Sequence, residues 1–204
     1  MTPKRVGLLG GAFNPPHLGH LKLAELACHE LALDELRFVP SAQPPHKSLP
    51  NESPDEATRL GLLKAALLDL PWGIETLELD RPGPSYTVDT LEALAQRESG
   101  SAWILVMGSD QLAQFTAWKQ WERLLELASV AAARRPGAEF LLSERLGNRQ
   151  RAFWTGAPGE IVWLPSTELE LSSSTIRAEI ASGEQNEGLP IQVRAAIGRE
   201  NLYR

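Results

Sequence analysis

The chain is predicted to adopt an α/β fold, a Rossmann-like parallel sheet with helices on both faces and a small C-terminal helical extension. Three observations predict it. Short apolar runs alternate with longer stretches of helical period along nearly the whole chain, the sequence form of strands joined by crossover helices. The first run, Val6 to Leu9, leads into Gly10-Gly-Ala-Phe-Asn-Pro-Pro-His-Leu-Gly-His20, a glycine-rich turn that hands over to an amphipathic helix. Polar residues suited to chemistry gather just after the strands, where open parallel sheets bind their ligands.

The elements follow in order. Arg5–Gly10 reads as the first strand. Leu18–Leu33 reads as its helix, because Leu21, Leu23, Ala24, Leu26, Ala27 and Leu31 fall on one broad apolar face. Leu36–Pro40 is the second strand. The stretch Ser41-Ala-Gln-Pro-Pro-His-Lys-Ser-Leu-Pro50 is a loop, since its prolines lack N–H donors and hold the residues before them extended. Asp55–Leu70 is a helix that starts near Ser53-Pro54, proline being favoured in a first turn. Ile74–Leu79 alternates as a strand, Arg81-Pro-Gly-Pro-Ser85 is a turn, and Thr87–Glu98 is a helix. Ala102–Met107 is a buried strand that passes through Gly108-Ser-Asp110 into a helix reaching Leu127. Val130–Ala133 is a strand stopped by Arg134-Arg-Pro-Gly137. One helix is expected between Ala138 and Gly159, then a last strand, Ile161–Leu164, and helices over Ser172–Ser182 and Pro190–Arg199. Neither a repeat nor a linker is apparent, so residues 1–204 are expected to form a single domain.

Composition narrows the function. With 204 residues, 43% of them hydrophobic, the chain can bury a sizeable core. Its net charge of −6 argues against a general nucleic-acid binder, whose phosphate-tracking surface is normally basic. A single cysteine, Cys28, rules out an internal disulfide, fits a reducing cytosol and sits at helical spacing as an inert thiol. There is no signal-peptide stretch and no apolar run of the ~18 residues that a membrane span needs. A cytoplasmic protein is expected, with oligomeric state left open.

The chemistry is read from four loops at one sheet edge: Gly10–His20, Pro44-Pro-His-Lys47, Pro84-Ser-Tyr-Thr87 and Gly108-Ser-Asp110. Glycines let backbone approach a ligand closely, and N–H groups beside a helix N-terminus cradle anions. His17 and His20, three apart on a first turn, share a face and can address one phosphate chain. A metal site built on this pair lacks further ligands at a recognised spacing. Ser172-Ser-Ser-Thr-Ile-Arg177 opens a helix with hydroxyls and follows them with a guanidinium. One serine suffices for an N-cap, and Arg177 can grip a phosphate with its planar fork.

In this order, GGAFNPPHLGH, PPHK, PSYT, GSD with Trp118-Lys-Gln-Trp121, ARRPG and LSSSTIR resemble the bacterial nicotinate mononucleotide adenylyltransferases, from Gly10 to Arg177. H-x-G-H and the final motif mark the wider nucleotidyltransferase superfamily, and the fold implied is of that type. PPHK, PSYT and the tryptophan narrow it to the nicotinate branch. The resemblance implies AMP transfer from ATP to nicotinate mononucleotide, with Mg2+ held mainly by the ATP phosphates. It places His17, His20, Lys47 and Arg177 in catalysis. Gly10, Gly11, Ala12, Phe13, Gly108, Asp110, Ser173 and Ser174 join His17, His20 and Arg177 in binding ATP. Lys47, Tyr86, Thr87, Trp118 and Arg135 would bind the mononucleotide, with Trp118 beneath the pyridine ring and Trp121 left to packing. Each has a plainer alternative: Asp110 as a helix cap, Lys47 as a surface lysine, Trp118 as core, Arg134 and Arg135 as a solvated pair.

The sequence departs from the family pattern at Ala12 and Ser174, where threonine is usual, at Asn14, where aspartate is common, and at Ala196, where an aromatic is frequent. Rival readings are a transferase for another acceptor, such as phosphopantetheine or nicotinamide mononucleotide, and a nucleotide sensor that lost catalysis. Retention of His17, His20 and Arg177 counts against the sensor. A tRNA-synthetase fragment lacks its lysine-rich signature here.

Overall fold

A computed structural model describes residues 2–45, 49–134, 142–166, 171–184 and 186–204. At its centre lies β1 (Lys4–Gly11), whose middle residues are buried on both faces, as in a strand covered by helices on each side. It pairs in parallel with β2 (Glu35–Pro40) and with β4 (Ser101–Gly108), so that Val6 stands beside Glu35 on one side and Trp103 on the other. Beyond β2 lies β3 (Gly73–Ile74). Beyond β4 lie β5 (Ala128–Ala133), β7 (Ile161–Leu164) and β6 (Gln150–Arg151). The order is β3-β2-β1-β4-β5-β7-β6, every neighbour parallel. The chain therefore walks outward from β1 to β3, then returns to β4 and walks the other way. That reversal opens a crevice at the carboxyl ends of β1 and β4.

Period-2 alternation splits the strand residues between two cores. Val6, Leu8, Leu105, Met107 and Val130 face Leu91 and Leu94 of α3 (Thr87–Arg97) and Leu124 of α5 (Trp121–Leu127). Leu9, Ile104, Val106 and Ala131 face Leu23, Ala24 and Ala27 of α1 (Leu18–Leu31) and Leu63 of α2 (Glu56–Ala66). A third core joins the outer side of α2, through Leu62 and Ala66, to α7 (Ser173–Ala181) and α8 (Ile191–Glu200). The expected C-terminal helices thus dock behind α2. Ala196 is buried in that contact, so the missing aromatic leaves a small residue where two helices meet.

Several sequence expectations need correction. The strand expected over Ile74–Leu79 ends after Ile74. Beyond it the N–H groups of Leu79 and Asp80 both return to the Thr76 carbonyl, and Thr76 Oγ1 bonds Asp80 Oδ2, so the alternating residues form a turn. The helix expected to run to Leu127 breaks into α4 (Ser109–Ala113), a 3-10 turn at Phe115–Ala117 and α5, with Gln120 left-handed at φ 52° just before α5. The first helix stops at Leu31, where Ala32 turns left-handed, and the helix expected to reach Leu70 ends at Ala66. Between Ala138 and Gly159 the described residues hold a single helical turn, α6 (Glu144–Gly147). Among the described residues no helix is long and apolar enough to cross a membrane.

Candidate active site

A cavity of about 570 Å3 occupies the crevice between β1 and β4. Its wall includes Gly10, Gly11, Ala12, Phe13, His17 and His20 from the first loop, Gly108 and Asp110 after β4, and Ser173, Ser174 and Arg177 on α7. Tyr86, Thr87 and Trp118 border it as well. The structure thus brings together every candidate within its described residues; Lys47 and Arg135 lie outside them. Arg134 borders the cavity and stacks its guanidinium 5.1 Å from the Trp163 ring centre.

The first loop is shaped by local bonds. His17 is the residue before α1, and its N–H donates to Nδ1 of His20 at 3.2 Å. A ring nitrogen that accepts carries no proton, so a neutral His20 holds its proton on Nε2 and can donate there. The two imidazoles stack with centres 3.7 Å apart, and the edge of His20 meets Phe13 at 5.1 Å. Gly19, the glycine of the H-x-G-H spacing, lies tight against the His17 ring. A Cβ there would lie 3.0 Å from His17 Nδ1 and 3.1 Å from Cε1. Gly10 serves differently: a Cβ on it would meet nothing within 4 Å, so its bareness leaves room on the cavity side. Phe13 is left-handed at φ 47°, an uncommon conformation for a bulky residue, and it is held by burial against Phe38.

The serines of the final motif divide their work. Ser172 caps α7 by accepting from the Thr175 N–H at 3.1 Å, as the plainer reading has it. Ser173 Oγ donates to the Pro15 carbonyl at 3.0 Å, tying α7 to the first loop. Ser174 is exposed beside the cavity. Arg177 donates through Nη1 to the Asn14 carbonyl at 2.7 Å, its one hydrogen bond among the described residues, out of the five N–H donors a guanidinium carries.

At the other end of the cavity, Trp118 packs on Phe115 with ring centres 5.4 Å apart. Lys119 sits 4.2 Å from the Tyr86 ring centre and bonds Asp89 of α3. Glu78 also lines this end, only 6% exposed, accepting from Thr90 Oγ1 at 3.1 Å. Burial pushes its carboxyl up to about 7, against the opposing pulls of Thr90, Arg81 and Ser85. Among the described residues no group of three or more His, Cys, Asp or Glu side chains is placed to hold a metal ion.

The sequence profile of the cytidylyltransferase-like family matches residues 8–179. A probable nicotinate-nucleotide adenylyltransferase of Hydrogenovibrio crunogenus is 38% identical over 208 residues, covering 99% of this chain and 99% of that protein. One of Bordetella avium is 39% identical over 206 residues, with 98% of each covered. The chain belongs to the nicotinate-nucleotide adenylyltransferase family. Among solved structures, Plasmodium falciparum nicotinic acid mononucleotide adenylyltransferase complexed with NaAD has a TM-score of 0.76 at 16% identity, covering 98% of this chain and 97% of that one, so the fold is shared.

Against that family background, two sets of bonds beside the site were not announced by any motif. Arg59 of α2 is 1% exposed, has no carboxylate bonded to it among the described residues, and donates to the carbonyls of Ala12, Ser41 and Ala42 at 2.7, 2.8 and 3.1 Å. Burial draws its pKa down from the ordinary guanidinium value. Asn14 donates to Ser53 Oγ and accepts from the Tyr203 hydroxyl, both at 2.8 Å. The amide is a donor and an acceptor at once, which an ionised aspartate is not. Only the arginine within an amphipathic helix could have hinted at this: Arg59 stands on the buried face of α2 beside Leu62 and Leu63.

Proposed function

We propose that the protein transfers AMP from ATP to nicotinate mononucleotide, releasing pyrophosphate and forming deamido-NAD, and that it does so as a single nucleotidyltransferase domain in a reducing cytosol. The carrying observation is that one cavity at the β1–β4 crevice is bordered by both the H-x-G-H and Ser/Arg elements and the Tyr86, Thr87 and Trp118 elements. Family membership supports ATP and the nicotinate nucleotide as the two substrates.

In this reading a phosphate oxygen of the mononucleotide attacks the α-phosphorus of ATP. A new P–O bond forms, and the bond to the bridging oxygen breaks with its electron pair leaving on pyrophosphate. The attacking phosphate is already anionic near neutral pH, so the chain has no proton to remove. Its work is alignment and charge neutralisation. His20 Nε2 and His17 donate to the phosphate chain, Lys47 and Arg177 supply cations, and the backbone of Gly10 to Phe13 approaches closely. Mg2+ would be held mainly by the ATP phosphates and water, ligands that magnesium favours, since among the described residues no group of three or more His, Cys, Asp or Glu side chains is placed to hold it. When bound it neutralises triphosphate charge.

Thr87 opens α3, so the N–H groups of its first turn, from Thr87 onward, stand at a helix N-terminus and suit a carboxylate, whereas the Tyr86 N–H already donates to the Pro84 carbonyl at 3.1 Å. An amide would turn its NH2 group toward such donors, leaving groups unpaired, a mismatch that discriminates strongly. The decisive experiment is incubation with ATP, Mg2+ and each mononucleotide. The acid should be preferred by at least ~100-fold in specificity constant. Equal use of acid and amide would refute the nicotinate assignment while sparing adenylyl transfer.

A further inference from the structure

We infer that Arg59 is a positioning residue that holds the triphosphate loop, the loop after β2 and the acceptor loop in one shared geometry. The inference rests on the adenylyltransferase reading of the cavity and deepens it. A buried guanidinium without a carboxylate is costly unless its donors find acceptors, and Arg59 places both Nη1 and Nη2 on backbone oxygens from two separate loops, while its Nε is buried without a bonded partner among the described residues. Ala12 belongs to the first loop; Ser41 and Ala42 follow β2.

What those bonds do to the peptides matters more than the bonds themselves. A trans peptide is planar, with its C=O and N–H pointing in opposite directions. Two consecutive peptides have their carbonyls, Ser41 and Ala42, on Arg59. Their N–H groups belong to Ala42 and Gln43, and both donate to Ser85 Oγ, at 3.0 and 3.3 Å. Arg59 and Ser85 therefore face each other across a two-peptide bridge. The Ser85 N–H returns to the Gln43 carbonyl at 2.9 Å, closing the far end. Ser85 lies two residues before Thr87, where the proposed carboxylate donors of α3 begin. On the near side, the Ala12 carbonyl turned onto Arg59 sends the Phe13 N–H the opposite way. The Ser41 N–H bonds the Gly11 carbonyl at 3.0 Å, so the two loops are also joined directly. A cationic donor at one end polarises such a chain and strengthens the N–H bonds at the other. One side chain outside the motifs thus sets both substrate ends.

Arg59→Lys keeps the charge, but a single ammonium does not span three carbonyls on two loops. Two readouts test it. Hydrogen exchange at the Ala42 and Gln43 amides should quicken at least tenfold while β4 amides stay as in wild type. The ratio of specificity constants for the acid over the amide mononucleotide should fall at least fivefold, a change that loss of general stability does not produce. Ser85→Ala attacks the same bridge from its other end and should lower the ratio likewise, which keeps the test decisive if Arg59→Lys folds poorly. Exchange that quickens equally in β4, together with an unchanged ratio in both variants, overturns the inference. A wild-type enzyme with no preference for the acid defeats the acceptor reading alone, and the exchange at Ala42 and Gln43 still decides Arg59.

Discussion

At the starts of β1, β2 and β4, opposite the cavity, charged side chains are spent on one another. Arg37 of β2 grips Glu98 through two bonds of 2.7 Å and also bonds Glu35, while Lys4 bonds Glu35 and Arg97 bonds Glu75. Arg37 lies 5.7 Å from the Trp103 ring centre and holds the Glu35 and Glu98 carboxyls at about 2. At the cavity end the pattern is reversed. Among the described residues Arg59 and Arg177 bond carbonyl oxygens rather than carboxylates, although Lys119 pairs with Asp89, and the buried Glu78 carboxyl is bonded by a hydroxyl and raised to about 7 by burial. Charge cancelled against charge at one end holds strands together. Charge left uncancelled at the other on Arg177, which lines the cavity, is available to a polyanion, even in a chain of net charge −6. The same sheet thus separates stability from function along the length of its strands.

The sharpest way to break this contrast is at His20. His20→Ala should lower kcat roughly 200-fold, about 3 kcal/mol, as removing a donor from a developing charge does. Its melting temperature should move by only a few degrees. Steady-state kinetics beside a thermal melt check it, and near-normal turnover would remove His20 from the chemistry.

Glu78 and the ion cluster predict opposite pH slopes. Because burial lifts the Glu78 pKa from 4.5 to about 7, the folded state binds its proton more tightly than the unfolded chain does. Stability from this group is full below about 4.5 and is lost as pH rises through about 7, by about 3 kcal/mol in all. Glu35 and Glu98 run the other way: their contribution is full above 4.5 and is lost as pH falls toward about 2. Glu78→Gln should abolish the decline between pH 5 and pH 8 in urea midpoints and leave the acid limb alone. An unchanged decline would show that Glu78 ionises normally.

Arg37→Met should cost about 2 kcal/mol of stability by removing a main partner of Glu35 and Glu98, less than breaking a fully buried pair because both carboxyls are partly exposed and keep Lys4 and Arg97. Urea denaturation measures that loss, and kcat/KM well below the transition should stay within twofold of wild type. A large kinetic defect would mean that the two ends are not independent. The smallest effect is expected from Arg177→Lys: an increase in KM for ATP of about fivefold, near 1 kcal/mol, because an ammonium lacks the fork but keeps the charge. An ATP titration at fixed mononucleotide reads it.

The parts of this molecule that were legible in its sequence are those in which neighbouring residues do one job. Gly10–His20 carries its turn, its helix start and its imidazoles within eleven residues, and Ser172–Arg177 carries cap and guanidinium within six. The alternation of apolar runs and helical faces was likewise enough for β1, β2, β4, β5 and β7, but not for the extent of β3 or for β6. What escaped depends on residues distant in sequence. Arg59 is 47 positions from Ala12, and Asn14 is 189 from Tyr203, so no local pattern reports their bonds. Ile74–Leu79 misled because an alternating segment at a sheet edge needs a neighbour to pair with beyond its first residues, and Thr76 offered its backbone a turn instead. The break between α4 and α5 has no glycine or proline to announce it. There burial of Phe115 and the left-handed Gln120 override helical propensity.

The position of β1 in the middle of the sheet has a consequence for the order of assembly. During synthesis, β2 emerges about 24 residues after β1 ends, but β4 begins about 90 residues after it. At roughly 5–20 residues per second, that delay is on the order of 5–20 s. Throughout it β1 offers an open edge with apolar side chains on both faces, the kind of strand that pairs with strangers. The first loop is therefore complete long before the strand that forms its opposite wall exists. A nascent chain carrying residues up to Arg97 should be held by chaperones, or aggregate, more than one extending past Ala133, in which β4 and β5 have covered that edge.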